Sequence, residues 1–530
     1  MRFHRHRPRL LALAALVAVA GLFTAALPAQ AGAAETVRPF ADEEDTGADC
    51  PVPDPGSTPA SSLLPDPFTR IDGTRVSTRE DWRCRRAEIR EQAERSVYGQ
   101  KPAPPAGVTG TVSRTGITVN VTDQGRSSSF SASVSLPSGS GPFPAVVVLG
   151  GMGADTATIN AAGAAVINFD PYAVGREGTP RNNKSGAFYS IYGSNSGTGL
   201  LMAWSWGVSR IIDVIEQSDG SILRANATGV TGCSRFGKGA FVAGAFDERI
   251  ALTMPIESGT AGVPIFRGVA QESGAQPLSS AYSEQPWLGD AFGSFTGSPA
   301  NLPVDTHQIV GMIAPRGLFI MENPHVDWLG SQSGAVGALG GAEVYRALGA
   351  GSNISYWSDV QDGNHCAVRP EWRAPLQQSI QAFLRGSGSG PGVIRVSPRE
   401  PADLSRWRNW QTPVLTSGGE DPGGEDPGEP TGACTATHRT VSSWSGGFQG
   451  EVAVRNTGTG PLNGWTVDMT LAAGQSISNL WNGERTGTGG TVRVRNNAWN
   501  GTIPADGTVT FGFVATGGTA PPGGITCSSP

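Results

Sequence analysis

Residues 226–240 read Asn-Ala-Thr-Gly-Val-Thr-Gly-Cys-Ser-Arg-Phe-Gly-Lys-Gly-Ala. Apolar Val230 leads into Gly232; Ser234 follows, then Gly237, Gly239 and an alanine-rich stretch able to wind as a helix. A strand that turns sharply into a helix needs small residues on both sides of the turn and leaves the central side chain exposed, which is the geometry of a nucleophile elbow. The usual spacing is Gly-x-Ser-x-Gly, and here the second glycine comes one residue late, because Phe236 precedes Gly237. Serine beside glycine is commonplace in loops, so the weight of this reading rests on what surrounds it.

Outward from the turn, short runs that are wholly or mostly apolar recur. Ala145 to Leu149 is closed by Gly150-Gly151-Met152-Gly153, and Ala164 to Phe169, Ile250 to Met254, Gly317 to Met321 and Ile354 to Trp357 are further runs of the same kind. Such runs are expected of strands buried on both faces of a mostly parallel sheet. Helical spacing appears between them over 200–215, around 340–348 and over 371–385, and strand alternating with helix argues for an α/β domain. Before this texture begins, Ser77 to Tyr98 has a helical pattern, and 107–137 alternates apolar with polar in short runs that predict an antiparallel meander.

The chain has 530 residues and a formal net charge of −6, with no basic stripe, so nucleic acid is not an expected partner. The 74 glycines, 39 prolines and 13 tryptophans point to long loops and aromatic contact surfaces rather than a helical bundle. Residues 1–31 read as an export signal: Arg2, Arg5, Arg7 and Arg9 precede an apolar run over 10–27, and Ala29-Gln30-Ala31 fits small-x-small cleavage. The run is long enough to be a membrane anchor, but the cleavage site and the polar stretch after it favour release. A secreted, extracellular protein without a membrane partner is expected. The six cysteines suit that compartment.

Residues 32–47 make an acidic lead-in, and 48–415 holds the α/β sequence. Residues 416–433 form a linker: Gly-Glu-Asp-Pro repeats, and 416–432 hold no apolar residue, the composition of a semi-stiff segment. From 434 to 530 apolar and polar residues alternate between Gly and Asn turns, which predicts an all-β, immunoglobulin-like sandwich, with Cys434 and Cys527 placed to close it.

A serine nucleophile needs a base within hydrogen-bond reach and an acid to orient that base. With two histidines in the signal and His438 beyond the linker, the candidate bases are His307, His325 and His365. His365 adjoins Cys366 as Ser234 adjoins Cys233. Spacing alone cannot fix which cysteines pair. A Cys233–Cys366 bridge, holding its Cα atoms about 5.5 Å apart, would clamp the nucleophile turn to the histidine loop. For the acid, Glu257 in Pro-Ile-Glu-Ser-Gly follows the strand after the turn, while Glu322 and Asp327 follow a later strand. Both segments fit the serine, acid, histidine order of the α/β-hydrolase fold, and position alone slightly favours the later one, which lies nearer the usual place of the acid. The Arg235 N–H, supplied by the turn, and an N–H of the Gly150–Gly153 loop are candidate oxyanion donors, and the Arg235 side chain can add positive charge.

Gly232-Cys233-Ser234-Arg235-Phe236-Gly237-Lys238-Gly239-Ala240 resembles the signature of the glucuronoyl esterases, carbohydrate esterase family 15. The likeness extends over about residues 48–388 through Cys50 and Cys84-Arg85-Arg86, Pro137 to Pro144, Pro255-Ile256-Glu257-Ser258-Gly259, Ala314 to Leu318 and Asn364-His365-Cys366. The resemblance implies an α/β-hydrolase three-layer sandwich that cleaves the ester between glucuronic or 4-O-methyl-glucuronic acid of xylan and an alcohol of lignin. It implies Ser234 as nucleophile, His365 as base, Glu257 in place of Glu322 or Asp327 as orienting acid, and Arg235 at the oxyanion. Lys238, Gln276, Glu284 and Trp328 would bind the sugar. Fungal relatives often carry a further disulfide in this domain, for which no cysteine remains here. No residues show metal-ligand spacing, and neither a metal nor another cofactor is expected.

The C-terminal segment resembles carbohydrate-binding module family 2 in Ser443 to Phe448, Asn456-Thr457-Gly458, Leu462 to Thr466, Leu480-Trp481-Asn482 and Asn497 to Gly501. The resemblance implies that Trp444, Trp481 and Trp499 form a strip that stacks on cellulose or xylan, with Trp465 in the core. A monomer acting on glucuronoxylan and lignin–carbohydrate esters is the expectation. An acetyl-xylan or feruloyl-type esterase on the same fold, and a non-catalytic wall-binding protein, are the alternatives; Lys238 and Glu284 suit a polar sugar acid better than an aromatic acyl group.

Overall fold

The computed structural model describes residues 43–54, 59–415, 434–458, 460–472, 474–497, 500–505 and 507–529. The signal segment 1–31, the 416–433 linker and Trp499 therefore lie outside the described residues.

The α/β part is built on ten strands: β1 Gly107–Val112, β2 Gly116–Asp123, β3 Arg126–Ser135, β4 Phe143–Leu149, β5 Ala165–Phe169, β6 Leu223–Cys233, β7 Ile250–Ile256, β8 Gly317–Met321, β9 Ile354–Trp357 and β10 Ile394–Arg395. They form one sheet in the order β1-β2-β3-β5-β4-β6-β7-β8-β9-β10. The pairings β1–β2, β2–β3 and β3–β5 are antiparallel, and those from β5 through β10 are parallel. The antiparallel meander carries alternating burial, while β4, β7 and β8 are buried along their whole length.

Two cores explain those wholly buried strands. Successive side chains of a strand point to opposite faces. Val147 and Leu149 of β4 join one core with Trp204 and Trp206 of the helix Leu200–Glu216 and Phe241 of the helix Arg235–Phe246. Val146 and Val148 join the second with Ile159, Trp372 and Leu376. Helices thus cover both faces of a central sheet, an α/β-hydrolase three-layer sandwich. Trp410 and Leu415 also belong to the first core, so the chain stays packed on this part up to 415.

Register sets the site. Cys233 of β6 pairs with Ile256 of β7, and Ile256 pairs with Met321 of β8. The next residues, Ser234, Glu257 and Glu322, consequently leave three adjacent strands at the same level, at the carboxyl ends where open α/β sheets bind ligands.

Among the described residues from Cys434 onward, two four-stranded antiparallel sheets face each other. The core between them holds Phe448, Trp465, Phe511 and Phe513, with Trp465 stacked on Phe511 and its Nε1 donating to Asn500 O at 2.9 Å. This is an all-β sandwich, closed by the Cys434–Cys527 disulfide.

Candidate active site

The turn after β6 works through close contacts that tolerate only glycine. A Cβ on Gly232 would lie 2.6 Å from Phe236 O, and one on Gly237 would lie 2.4 Å from Ile256 O. The late second glycine is thereby explained: the helix Arg235–Phe246 runs hard against the end of β7 at position 237. Ser234 has φ 58° and ψ −124°. Glu257 and Cys366 also have positive φ, 45° and 61°, so three of the six non-glycine residues in that region, among those described, sit at one place. Such conformations cost about 1–3 kcal/mol each and persist where the surroundings over-determine them.

The Cys233–Cys366 disulfide joins the serine turn to the histidine loop, with Cα atoms 5.8 Å apart. His365 Nδ1 donates to Glu257 Oε2 at 2.6 Å, and the Cys366 N–H donates to the same oxygen at 2.8 Å. The other oxygen accepts from Asn323 Nδ2 at 3.4 Å and lies 3.8 Å from Arg369 Nε. Arg369 in turn donates to Asn364 O and Asp362, fastening the histidine loop. Glu257 is fully buried. Ser234 Oγ makes no hydrogen bond among the described residues, and it lines one cavity with His365.

The other candidates are placed elsewhere. His307 is buried, donates from Nε2 to Pro65 O and stacks on Trp410, and burial pushes its pKa down to about 4. His325 donates to Val360 O. Glu322 is buried one strand from Glu257, its Oε2 has no partner, and burial, reinforced by the Glu257 charge, holds its carboxyl well above the ordinary range. Asp327 is exposed. Neither of the two later acids bonds His365.

A cavity of about 790 Å³ opens over this group, lined by Ser234, His365, Arg235, Lys238, Gln276, Glu284, Trp328, Trp287, Tyr172 and Met152, among others. Lys238 Nζ donates to Ser258 O at 2.5 Å and lies 5.4 Å from the Trp287 ring centre. Burial lowers its pKa to about 8, against the pull of Glu284 and Glu322. Gln276 Nε2 donates to Glu284 Oε2 at 2.6 Å, and its backbone N–H to Trp328 O at 3.0 Å. Trp328 is 55 % exposed and meets the His365 ring edge-on at 5.8 Å. All four residues expected at a sugar therefore line one cavity with the serine and histidine.

Glu177 went unremarked in the sequence. Its Oε2 accepts from Arg235 Nη1 and from the Tyr172 hydroxyl, both at 2.7 Å, and its Oε1 accepts from Trp287 Nε1 at 2.5 Å. Burial works against the Arg235 charge, but the bond and charge of Glu177 outweigh it and raise the guanidinium pKa. The Gly150 N–H is taken by Phe169 O, which leaves later N–H groups of that loop as oxyanion candidates.

Cys233, Glu257, His365 and Cys366 offer donor atoms within 4.8 Å of one another. Both sulfurs are bound in the disulfide and the carboxylate holds the imidazole, so these groups are bonded to one another rather than set out as a ligand shell. A second cavity, about 920 Å³, lies between 43–52 and 101–108, away from this group. Glu44 there pairs with Lys101 and Arg210.

On the sandwich, Trp444 and Trp481 are 45 % and 37 % exposed, and Trp465 is buried. A Cβ on Gly447 would meet the Trp444 ring at 2.9 Å, and one on Gly512 the Trp481 ring at 2.3 Å. Each ring thus lies down over a glycine of its own sheet.

Residues 119–349 match a family model described as glucuronyl esterase of fungi, and residues 434–528 match one described as cellulose binding domain. The chain is 37 % identical over 373 residues to a 4-O-methyl-glucuronoyl methylesterase of Neurospora crassa, covering 69 % of this chain and 93 % of that one. Its fold is similar to the glucuronoyl esterase of Sporotrichum thermophile solved with methyl 4-O-methyl-β-D-glucopyranuronate, with TM-score 0.66 and 36 % identity over 69 % of this chain and all of that one. A carbohydrate esterase family 15 glucuronoyl esterase from Caldicellulosiruptor kristjansonii is similar at 31 % identity and TM-score 0.58, over 68 % of this chain and 99 % of that one.

Proposed function

The chain belongs to the glucuronoyl esterases of carbohydrate esterase family 15, joined to a module of the family 2 carbohydrate-binding type, and from that premise we propose that it frees glucuronic or 4-O-methyl-glucuronic acid of xylan from its ester with an alcohol. It is a carboxylic ester hydrolase. The single observation that carries the finer reading is the 2.6 Å bond to buried Glu257 from His365, which lines one cavity with Ser234.

In this reading Ser234 Oγ attacks the uronate carbonyl carbon and its proton passes to His365 Nε2. Glu257, ionised and bonded at Nδ1, holds the imidazole in the tautomer that leaves Nε2 free and steadies the imidazolium that forms. The Arg235 N–H and guanidinium meet the oxyanion, the latter held in place by Glu177. Collapse of the tetrahedral intermediate returns the proton from His365 to the departing alcohol and leaves a uronyl–serine ester. Water then gives its proton to His365, attacks the same carbonyl, and releases the acid with Ser234 restored.

Lys238, Gln276, Glu284 and Trp328 are assigned to the sugar ring: three long polar side chains suit vicinal hydroxyls, and the indole offers an apolar face. Trp444 and Trp481, with Trp499, are assigned to stacking on cell-wall polysaccharide. Three disulfides and no free cysteine among the described residues suit an oxidising compartment, and we place the protein outside the cell, acting on lignin–carbohydrate esters.

Hydrolysis of benzyl glucuronate beside p-nitrophenyl acetate, by the wild type and Ser234→Ala, tests the proposal. Cleavage of the uronate ester that the substitution abolishes is expected. Acetate cleavage alone would keep the serine but remove the uronate assignment.

A further inference from the structure

We propose that Met152 forms the alcohol side of the site and is its oxidisable residue: hydrogen peroxide converts its thioether to the sulfoxide, and this selectively weakens acceptance of esters with apolar alcohols. The proposal rests on the ester-hydrolase reading above.

The topology divides the cavity. In the sheet, β5 and β4 lie on one side of β6, and β7 and β8 on the other. Gln276 and Glu284 come from the segment between β7 and β8, and Trp328 from the turn after β8. Lys238 leans the same way, its ammonium on Ser258 O just past β7. The acyl group is thereby placed on the β7–β8 flank of Ser234, and the alcohol falls to the β4 flank. Met152 stands there, in the turn that closes β4, and it lines the cavity with Ser234 and His365.

That turn has little freedom to withdraw. A Cβ on Gly150 would lie 2.2 Å from the Phe236 ring, and one on Gly153 would lie 2.6 Å from Cys233 Cβ and 3.1 Å from Cys366 Cβ. Met152 is thus presented between a ring of the serine helix and the disulfide that holds His365. The histidine that protonates the departing alcohol adjoins that disulfide, so the alcohol leaves past the Met152 thioether. An unbranched, polarisable side chain at this place suits apolar and aromatic alcohols.

Exposure makes the same residue chemically distinct. The sequence holds seven methionines. Met202, Met254, Met312, Met321 and Met469 are buried, whereas Met152 is 48 % exposed; Met1 lies outside the described residues. In the oxidation a sulfur lone pair attacks one peroxide oxygen, the S–O bond forms, the O–O bond breaks, and the departing oxygen leaves as water after proton transfer. Sulfur loses two electrons and the peroxide gains them. The product carries a polar S=O where the alcohol's apolar face would rest.

The test treats the full chain with dilute hydrogen peroxide, locates added oxygen by peptide mass mapping, and measures kcat/KM for benzyl and methyl glucuronate before and after. Oxygen on Met152 accompanied by a fall of about threefold to tenfold in the benzyl-to-methyl ratio is expected, the size of a modest apolar contact. Methionine sulfoxide reductase should restore the ratio. In Met152→Leu the ratio should be the same before and after peroxide, whatever its starting value. The proposal is overturned if Met152 stays unoxidised while free methionine in the same solution reacts. It is equally overturned if Met152 is oxidised with the ratio unmoved, or if the leucine variant's ratio falls as far. Failure to cleave either ester before treatment would instead overturn the parent reading.

Discussion

Replacing Glu257 by glutamine, beside the matching change at Glu322, separates the two buried acids that leave neighbouring strands at the same level. Glu257 Oε2 accepts from both His365 Nδ1 and the Cys366 N–H. Glutamine can offer its carbonyl oxygen to that pair only by turning its amide toward Asn323 Nδ2 and Arg369, donor against donor. The reverse orientation puts an amide donor on Nδ1 and selects the wrong imidazole tautomer. Either way the negative charge beside the imidazolium is lost. At a charge separation of about 4 Å and an effective dielectric of about 20, that attraction is about 4 kcal/mol. Each 1.4 kcal/mol, approximately, is a decade in rate, so kcat for a uronate ester should fall about a thousandfold in Glu257→Gln. Burial, with the Glu257 charge beside it, pushes the Glu322 carboxyl well above the ordinary carboxylate range, and its side chain makes no bond to His365. Glu322→Gln therefore leaves the bond from His365 to Glu257 in place and should keep kcat within about threefold. Steady-state kinetics on benzyl glucuronate, with thermal melts to establish that both variants fold, provide the assay. A Glu322→Gln loss as deep as that of Glu257→Gln, or a Glu257→Gln variant within tenfold of wild type, would refute the assignment.

Further outcomes follow from neighbouring contacts. Glu177→Gln loses a charge-assisted bond to Arg235 worth about 1.5–3 kcal/mol, and kcat should fall about tenfold to a hundredfold with KM little changed; a rise in KM alone would remove the oxyanion role from Arg235. Lys238 loses its proton near pH 8, so the KM for a uronate ester should climb as pH rises through that value, and the climb should be absent in Lys238→Gln. The sign for stability is opposite: between about pH 8 and the ordinary lysine pKa near 10.4 the unfolded chain holds more protons than the folded one, so this lysine makes folding more favourable as pH rises across that window, readable from urea midpoints. Removing the Cys233–Cys366 bridge in the double alanine variant opens a link across 133 positions and should lower unfolding free energy by about 2–5 kcal/mol, with activity falling as the serine and histidine loops lose register. Trp444→Ala and Trp481→Ala should each weaken binding to crystalline cellulose about fivefold or more, measured by depletion isotherms, as expected for an exposed aromatic anchor.

The parallel strands were legible because burial on two faces demands runs such as Ala145–Leu149, which no amphipathic helix or half-exposed strand would carry. The serine turn was legible through its glycines, although the reason for the late Gly237, its contact with Ile256 O, exists only once β7 is in place. The short helices Phe266–Val269 and Leu278–Glu284, which flank Gln276 and carry Glu284, were not legible, since neither is long enough to show a period. Glu177 was hidden for a different reason: it sits in a loop without pattern, and of its three partners only Tyr172 is near in sequence, Arg235 and Trp287 standing 58 and 110 positions away.

The choice between acids shows most clearly what strand order leaves open. Both Glu257 and Glu322 follow strands of the same sheet, both are buried, and register brings them to one level. Chain position favoured the later one. Two features absent from any pattern of residue types decide the geometry. Glu257 adopts a left-handed backbone conformation that brings its carboxylate to the histidine loop, and Cys366, also left-handed, turns its N–H onto the same oxygen. The disulfide joins Cys366 to the residue before Ser234, so the turn whose N–H meets Glu257 is anchored to the turn that presents Ser234. Glu322 bonds within its own loop, to the Asn323 N–H, and leaves its second oxygen unmatched. Burial, an unmatched oxygen and the Glu257 charge all disfavour the charged form of Glu322, whereas both oxygens of Glu257 are engaged and one of them holds His365; this contrast is why we assign the orienting role to Glu257.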